Sequence, residues 1–585
     1  MVDPDLLFGT IVAIFLVVIS AITLFHWWTP MKYDYWKKNG VPFVDPSLRA
    51  NNEKPFNEIL VERYHQLGPI YGYFEGKKPK ISIGDPALLK NILIKDFSFF
   101  MGRKPVVTGD EVHDKMLTIA RGEDWKRIRS IVSPIFTTGK LKKMLHIFKD
   151  CCQVLMKSLK SAAEEGKSVD LKSVYGAFTI DVIAGAIFSA KVDSHNDPGN
   201  QFVKTARDVF GGKPGKRPTT FPGVVSPKFS RILICQCNRW CNFLRQGLLA
   251  RHPGNQFVKT TRDVFGGKPG KRPTAIPLLS RLLKLFKTDH ASSSRTEIFR
   301  KITHQVVEER RKTGQARNDF LQLLMDSAKE NSEEEKSDWA QKEETCIDSN
   351  CDEQTDGHQP PKTSSKKLSM DELVGQCLIF FLAGYETTSS TLSFVTHLLA
   401  HHQDAQDKLR EEVAEVLAET NGELTYEAVQ NMKYLDNVIS ETLRLYPPAI
   451  QLERYADADY KLEDKGITIP KGMGVTIPIY AVHRDSKFFL HPERFDPDRF
   501  TPEAKSMRDP YTYMPFGAGP RNCVGMRFAF LETKICLSYV VTNFRIKTTP
   551  HTKEELEFHP GASGFLRPKE VLVEMEIRED SFEIK

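Results

Sequence analysis

The chain has 585 residues, 40% hydrophobic and 27% charged, and its 82 Lys and Arg against 75 Asp and Glu leave a formal charge of +7. No clustered basic stripe or groove-reading motif accompanies that mild excess, which excludes a nucleic-acid binder and suits an acidic protein partner or anionic lipid instead. Ten cysteines are too few for a disulfide framework at this length and point to a reduced compartment.

Residues 6–25 carry no charge. At 1.5 Å per residue, twenty helical residues span roughly 30 Å, one bilayer core. Asp3 and Asp5 precede the stretch and Lys32, Lys37 and Lys38 follow it, which places the body in the cytosol. His26-Trp27-Trp28 fall at headgroup level, and no basic leader or A-x-A-like cleavage site is present. Residues 1–29 therefore read as an uncleaved single-pass anchor in the endoplasmic reticulum, and residues 30–50 as a basic Gly/Pro hinge containing Trp36-Lys37-Lys38-Asn39-Gly40-Val41-Pro42. Residues 51–585 form the main body. Residues 70–83 read as a small sheet, and helical patterns cover 86–188 and 296–326. Within the first of these, Trp125 and Arg129 share a helix face at i, i+4.

Two stretches interrupt the pattern. Residues 200–222 recur almost unchanged at 255–277, 55 positions on. Two copies do not make a solenoid. They read as a duplicated exon or gene-model error, the first copy with the Cys235–Cys241 stretch then being supernumerary, with an added membrane-contacting roof element as the functional alternative. Cys235-Gln236-Cys237 with Cys241 has zinc-like spacing but no second half. Residues 329–367, rich in Glu, Ser, Asp, Lys and Gln, cannot bury a core and read as a flexible polar loop.

Ser369-Met370-Asp371-Glu372 is a capping box opening a long apolar helix. Inside that helix, Ala383-Gly384-Tyr385-Glu386-Thr387-Thr388-Ser389-Ser390 violates helix preference, as functional sites do. Gly384 weakens the helix, and the Thr387 hydroxyl can compete for a backbone carbonyl. Glu441 and Arg444 follow on one helix face at i, i+3, ahead of Leu445-Tyr446-Pro447-Pro448. Two Pro-x-Arg-Phe segments come next, Pro492-Glu493-Arg494-Phe495 and Pro497-Asp498-Arg499-Phe500. Last is Phe516-Gly517-Ala518-Gly519-Pro520-Arg521-Asn522-Cys523-Val524-Gly525, one cysteine on a glycine-bounded loop just before a helix start. Helix N-termini stabilise anions and lower thiol pKa. Gly519 and Gly525 are expected to let the backbone turn sharply and approach a flat ligand.

The cysteine loop matches the haem-ligand signature of the cytochrome P450 family, and the chain resembles its microsomal branch of drug- and steroid-oxidising members. The resemblance implies a mainly α fold with small β-sheets, a haem-thiolate catalytic domain over 51–585, and haem b ligated by Cys523. Phe516, Gly519, Arg521 and Gly525 would cradle that cofactor, and Trp125, Arg129, Arg103 and Arg454 match partners of its propionates. Glu386 and Thr387 fall on the oxygen-activation motif, where a hydroxyl backed by a carboxylate orders the proton supply. Glu441, Arg444 and a Pro-x-Arg-Phe arginine would form a buried structural triad; spacing to Cys523 favours Arg499, with Arg494 the runner-up. Thr118, Phe380, Ala383, Ala449, Ile450 and Phe565 are pocket candidates. Lys126, Arg127, Lys142 and Lys143 fit a basic face for an acidic reductase. The implied reaction inserts one atom of O2 into a lipophilic xenobiotic, lipid or steroid. NADPH-cytochrome P450 reductase would supply electrons, with cytochrome b5 a second candidate partner, because no dinucleotide fingerprint occurs in this chain. A haem-thiolate isomerase or dehydratase, and a catalytically silent haem or lipid binder, are the alternatives; the first would not need Glu386-Thr387.

Overall fold

The computed structural model describes residues 34–45, 54–76, 78–104, 110–197, 293–327, 367–462, 465–559, 564–582 and 584–585, with Ser20. The expected anchor (apart from Ser20), the internal repeat, the Cys235–Cys241 stretch and residues 329–366 of the polar loop lie outside them.

Helices dominate. Those that build the site are α1 (Asp34–Lys38), α2 (Gly122–Val132), α3 (Leu145–Glu164), α4 (Leu171–Phe188), α5 (Ser293–Thr313), α6 (Phe320–Ser327), α7 (Met370–His401), α8 (Lys433–Leu445) and α9 (Met526–Asn543). A four-stranded sheet flanks them in the order β1 (Ile70–Glu75), β2 (Lys78–Ile83), β7 (Gly474–Ile477), β4 (Leu452–Tyr455). β2 and β7 run parallel, with Ile81 opposite Val475, and the other two pairings are antiparallel. A three-stranded sheet places β9 (Leu572–Ile577) between β3 (Val169–Asp170) and β8 (Phe544–Lys547), and β5 (Tyr460–Leu462) pairs with β6 (Ile467–Ile469) as a hairpin.

α7 is the axis of the molecule. Its N-terminus closes with the expected reciprocal cap: Ser369 Oγ accepts from the Glu372 amide at 3.2 Å, and Glu372 Oε2 accepts from the Ser369 amide at 2.7 Å. α4 packs along it. α4 is long and apolar enough to cross a membrane, yet 78% of it is buried inside the molecule. A helix apolar on all sides belongs in a core, and this one forms the wall behind the mid-helix motif. The two helices approach closely at Gly384, where a Cβ would sit 2.7 Å from Ile183 Cδ1.

Two apolar cores meet at the cysteine loop. The larger is helical; the smaller packs on the sheet and includes Trp36, Ile81, Leu93, Met514 and Ala518. Phe516 and Val524 lean on the helical core while Met514 and Ala518 belong to the sheet core, so the loop lies on the seam.

The segment expected as a hinge is docked, not free, over residues 34–45. Trp36 is 1% exposed and its indole donates to the Tyr73 carbonyl at 3.2 Å. Pro42 and Val44 exchange backbone hydrogen bonds with Gly72 at 2.8 and 2.9 Å. Large apolar area buried by one tryptophan outweighs the Gly/Pro character of its neighbours.

Candidate active site at the cysteine loop

Cys523 stands between a turn and a helix. Its amide donates to the Phe516 carbonyl at 2.9 Å and the Asn522 amide donates to Gly519 at 2.9 Å. The turn uses left-handed backbone at Gly517 (φ 75°) and Gly519 (φ 73°). At Gly519 a Cβ would lie 2.0 Å from the Leu93 carbonyl oxygen, so any side chain there forces the backbone to shift. Gly525 differs from expectation. Its φ is −89°, and its added Cβ would meet only Phe136 at 3.7 Å, an ordinary contact. Gly525 opens α9 as its N-cap; the second turn glycine is Gly517.

Cys523 is exposed, yet burial pushes its thiol pKa up. Both hold because it faces an internal cleft. Three neighbours oppose the burial: a backbone hydrogen bond from Gly525, then the Arg129 and Arg103 guanidiniums. Each favours the thiolate.

Four arginines converge beside it. Arg129 donates from Nη1 to the Asn522 carbonyl at 3.0 Å and from Nη2 to Asn522 Oδ1 at 2.7 Å, fastening α2 to the residue before the cysteine. Arg521 lies 4.2 Å over the Trp125 ring and donates to the Ala120 carbonyl at 3.0 Å. Arg454, on β4, is 1% exposed and donates to the Glu453 carbonyl at 3.1 Å. Burial first, then mutual repulsion, lowers three of them: Arg103 falls through burial and Arg129, Arg454 to about 9 through burial and Arg103, and Arg521 to about 8 through burial, Arg103 and Arg454. Arg454 Nε and Arg521 Nε and Nη1 are buried without a hydrogen-bond partner. Clustered cations with orphaned donors demand an anion with several oxygens. A haem with two carboxylates and an iron for the thiolate fits both halves of that demand.

α7 forms the opposite wall. It is buried almost throughout, but Ala383 is exposed and Phe380 and Thr387 are partly so. Exposure on one turn of an otherwise buried helix marks a cleft. Phe136 ties the walls together, 3.7 Å from the Cβ position of Gly525 and 5.5 Å from the ring of Phe380. Thr387 Oγ1 donates to the Ala383 carbonyl at 2.6 Å. Glu386 turns the other way, toward α4, with Oε1 3.3 Å from Lys172 Nζ.

Among the remaining pocket candidates, Thr118 is half-buried, and Ala449 and Phe565 pair as an isolated antiparallel bridge with partial exposure. Ile450 does not line the cleft: it is 1% exposed and packs in the helical core, because its neighbour bridge turns its side chain inward.

Glu441 and Arg444 pair on α8 through 2.7 and 2.8 Å hydrogen bonds, both side chains 0% exposed. Arg499 Nε lies 3.4 Å from Glu441 Oε1, whereas Arg494 offers only its backbone carbonyl, to Arg444 at 3.2 Å. Of the four cations expected on one basic face, Arg127 pairs with Glu372 with little exposure and serves the α7 cap. Lys126 and Lys142 pair with Glu123 and Glu427 at the surface, where such pairs are weak.

Sequence reasoning missed Lys172, Asn522 and Phe136. Lys172 carried a signal: with Asp181 it supplies the charge in an 18-residue helix that is otherwise uncharged. Asn522 sat beside the cysteine unremarked.

Comparison with known proteins agrees with this geometry. The family model for Cytochrome P450 matches residues 37–231 and 269–575. Cytochrome P450 3A41 of Mus musculus is 35% identical over 567 residues, 95% of each chain. Cytochrome P450 3A5 of Homo sapiens is 34% identical over 574 residues, 97% of each. The unmatched stretch 232–268 takes in Cys235, Cys237, Cys241 and the head of the second repeat copy. The chain belongs to the cytochrome P450 family and is a haem-dependent monooxygenase whose cofactor is haem b with a cysteine thiolate ligand.

Proposed function

We propose that this enzyme oxidises bulky lipophiles, xenobiotics and endogenous lipids or steroids, at the cleft between Cys523 and the Ala383–Thr387 turn of α7. The single observation that carries the reading is the pairing of a thiol wall, crowded with unsatisfied arginines, with a helix wall exposed only at its hydroxyl turn. When bound, haem b supplies the thiolate-ligated iron at which O2 is reduced and one oxygen atom is transferred to substrate.

The chain's own residues do the rest. Cys523 would ligate the iron, held as thiolate by the Gly525 amide and by Arg129 and Arg103. Arg103, Arg129, Arg454 and Arg521 would hold the propionates, with Trp125 stacked beneath Arg521. Phe516 and Gly519 set the turn that aims the sulfur. Thr387 hands protons into the cleft and Glu386 resupplies them; the Thr387 proton now given to the Ala383 carbonyl is the one available for exchange. Thr118, Phe380, Ala383, Ala449 and Phe565 bound an apolar substrate space. Glu441, Arg444 and Arg499 brace the haem-side core. Electrons come from NADPH through a separate flavoprotein reductase, with cytochrome b5 as a second donor. Residues 6–25 anchor the enzyme in the endoplasmic reticulum membrane, body to the cytosol; their uncharged length supports this. The stretch without a family match supports reading one repeat copy as supernumerary.

Reconstitution with reductase, NADPH and a lipophilic probe tests the reading. Product should form with one O2 and one NADPH consumed per oxygen inserted. Thr387→Ala should bind haem and substrate normally while diverting most electrons to peroxide. Tight coupling in that variant removes Thr387 from the relay, and a haem-loaded wild type inert toward every lipophile favours the silent alternative.

A further inference from the structure

The Lys172 ammonium lies at a junction of polar groups that the mid-helix motif alone does not explain. It donates to Ser389 Oγ and Ser390 Oγ at 2.8 Å each, and lies 3.4 Å from the Glu386 carbonyl oxygen and 3.3 Å from Glu386 Oε1. All four oxygens belong to one turn of α7. Lys172 itself is the second residue of α4, whose N-cap Asp170 accepts from the Lys172 amide at 3.2 Å. The ammonium is thus fixed at its backbone end by a helix cap and at its tip by another helix. Ser389 and Ser390, costly in a buried helix, are accounted for as acceptors for this cation.

We propose that Lys172 is a positioning residue of the proton relay, fixing the Glu386 carboxylate on the α4 side of α7, one residue before Thr387. The inference rests on the relay reading of Glu386 and Thr387 above and adds the group that aims it. The distances order the contacts. The two serine hydrogen bonds are short and hold the ammonium in place; the carboxylate contact is longer and is the one free to loosen as the relay turns over. Ser389 also donates to the Tyr385 carbonyl at 2.7 Å, and Thr179 of α4 lies 3.5 Å from the same carbonyl, so the turn is fastened to α4 on both sides of Glu386. Gly176 leaves room for the Tyr385 ring, with 3.4 Å from its Cβ position to the Tyr385 hydroxyl. Charged groups facing Lys172 are Glu386 from α7, Asp170 from its own cap and Arg567 from the C-terminal segment; burial lowers the ammonium pKa, Glu386 and Asp170 raise it and Arg567 lowers it.

Two measurements on the holoenzyme decide the matter. The first needs no turnover. Competitive trace acetylation with acetic anhydride, read by peptide mass spectrometry across pH, follows the Lys172 amine alone. Glu386→Gln removes the carboxylate that favours the protonated ammonium, so labelling of Lys172 at pH 8 should rise severalfold. Unchanged labelling means the two groups do not interact and overturns the proposal. The second measures coupling. Lys172→Gln keeps a donor for Ser389 and Ser390 but loses the charge; it should raise the peroxide-to-product ratio at least threefold, shift the pH profile of that ratio, and leave the spectral binding constant for substrate unchanged. Lys172→Arg should restore most of the coupling, and Lys172→Gln should add nothing in a Glu386→Gln background. Full coupling in folded Lys172→Gln, when Glu386→Gln is uncoupled, overturns the positioning role and leaves the relay standing. Full coupling in Glu386→Gln removes the relay, and this role with it, whatever the acetylation shows about the pair.

Discussion

On the α4–α7 wall, the Lys172 ammonium has four oxygens of its own chain within 3.4 Å. On the cysteine-loop wall, Arg454 and Arg521 are more deeply buried and keep three guanidinium nitrogens without a partner. Both walls bury cations, at a desolvation cost of several kcal/mol per ion before compensation. The first wall is compensated by the folded chain. The second is compensated in part, by the Ala120 and Glu453 carbonyls and the Trp125 ring, and leaves three donors for a ligand carrying negative oxygens. A cluster of buried charges that its own fold leaves partly unsatisfied therefore points to a ligand site in a way that a self-paired charge does not.

The Glu441–Arg444 pair on α8 gives a self-paired reference for that comparison. Arg444→Leu would strand the Glu441 carboxylate, which burial already pushes up against the pull of Arg444 and Arg499. A loss of about 3–5 kcal/mol is expected, as for any broken buried ion pair, with most of the protein failing to fold. Chemical denaturation or soluble yield reads it. Arg454→Leu should behave oppositely in the apoprotein. Removing one of four mutually repelling cations should leave apoprotein stability equal or higher by about 1 kcal/mol, while haem transfer to a competing apoprotein accelerates at least tenfold, since a lost charge-assisted hydrogen bond is worth about 1.5–3 kcal/mol. Equal destabilisation of apo and holo forms would erase the distinction between the walls.

Much of this arrangement was legible in the sequence where a local chemical oddity marked it. The capping box at Ser369 follows a local rule and forms as expected, while the hydroxyl turn at Thr387 and the cysteine loop each break a local preference. What was not legible depends on tertiary packing. The docking of Trp36 follows from a sheet edge formed by residues far along the chain. The burial of Ile450 follows from strand pairing with the segment beyond residue 564. Gly525 and Gly517 were interchanged because spacing shows that a turn needs glycines, not which one carries positive φ.

That interchange gives a smaller test. Gly519→Ala forces a positive-φ alanine whose methyl meets a carbonyl, at a cost of about 1–3 kcal/mol. Gly525→Ala has negative φ and ordinary room, and apoprotein stability should change by less than about 1 kcal/mol. Comparable losses would mean the loop is held by something other than its turn geometry.

The smallest expected effect concerns a buried acid outside both walls. Glu532 on α9 is 0% exposed, neither carboxyl oxygen has a partner, and burial raises its pKa well above the ordinary value. A raised acid stabilises the fold fully below its unfolded pKa, and that contribution is lost as pH climbs toward the folded value. Glu532→Gln should thus raise the thermal midpoint at pH 7.5 by about 1 °C, the response of a chain this long to roughly 1 kcal/mol, with the gain shrinking as pH falls toward 4.5. A gain independent of pH would show that Glu532 is ionised in the native state.

The central claim is that Cys523 presents a thiolate to haem iron between these walls. The most direct measurement is the carbon monoxide difference spectrum of the reduced, haem-loaded protein, wild type beside Cys523→Ser. The expected result is the strongly red-shifted thiolate-type Soret band in the wild type and its complete loss in the variant. A nitrogen-ligated band in wild-type protein, or a thiolate band that survives Cys523→Ser, would contradict it.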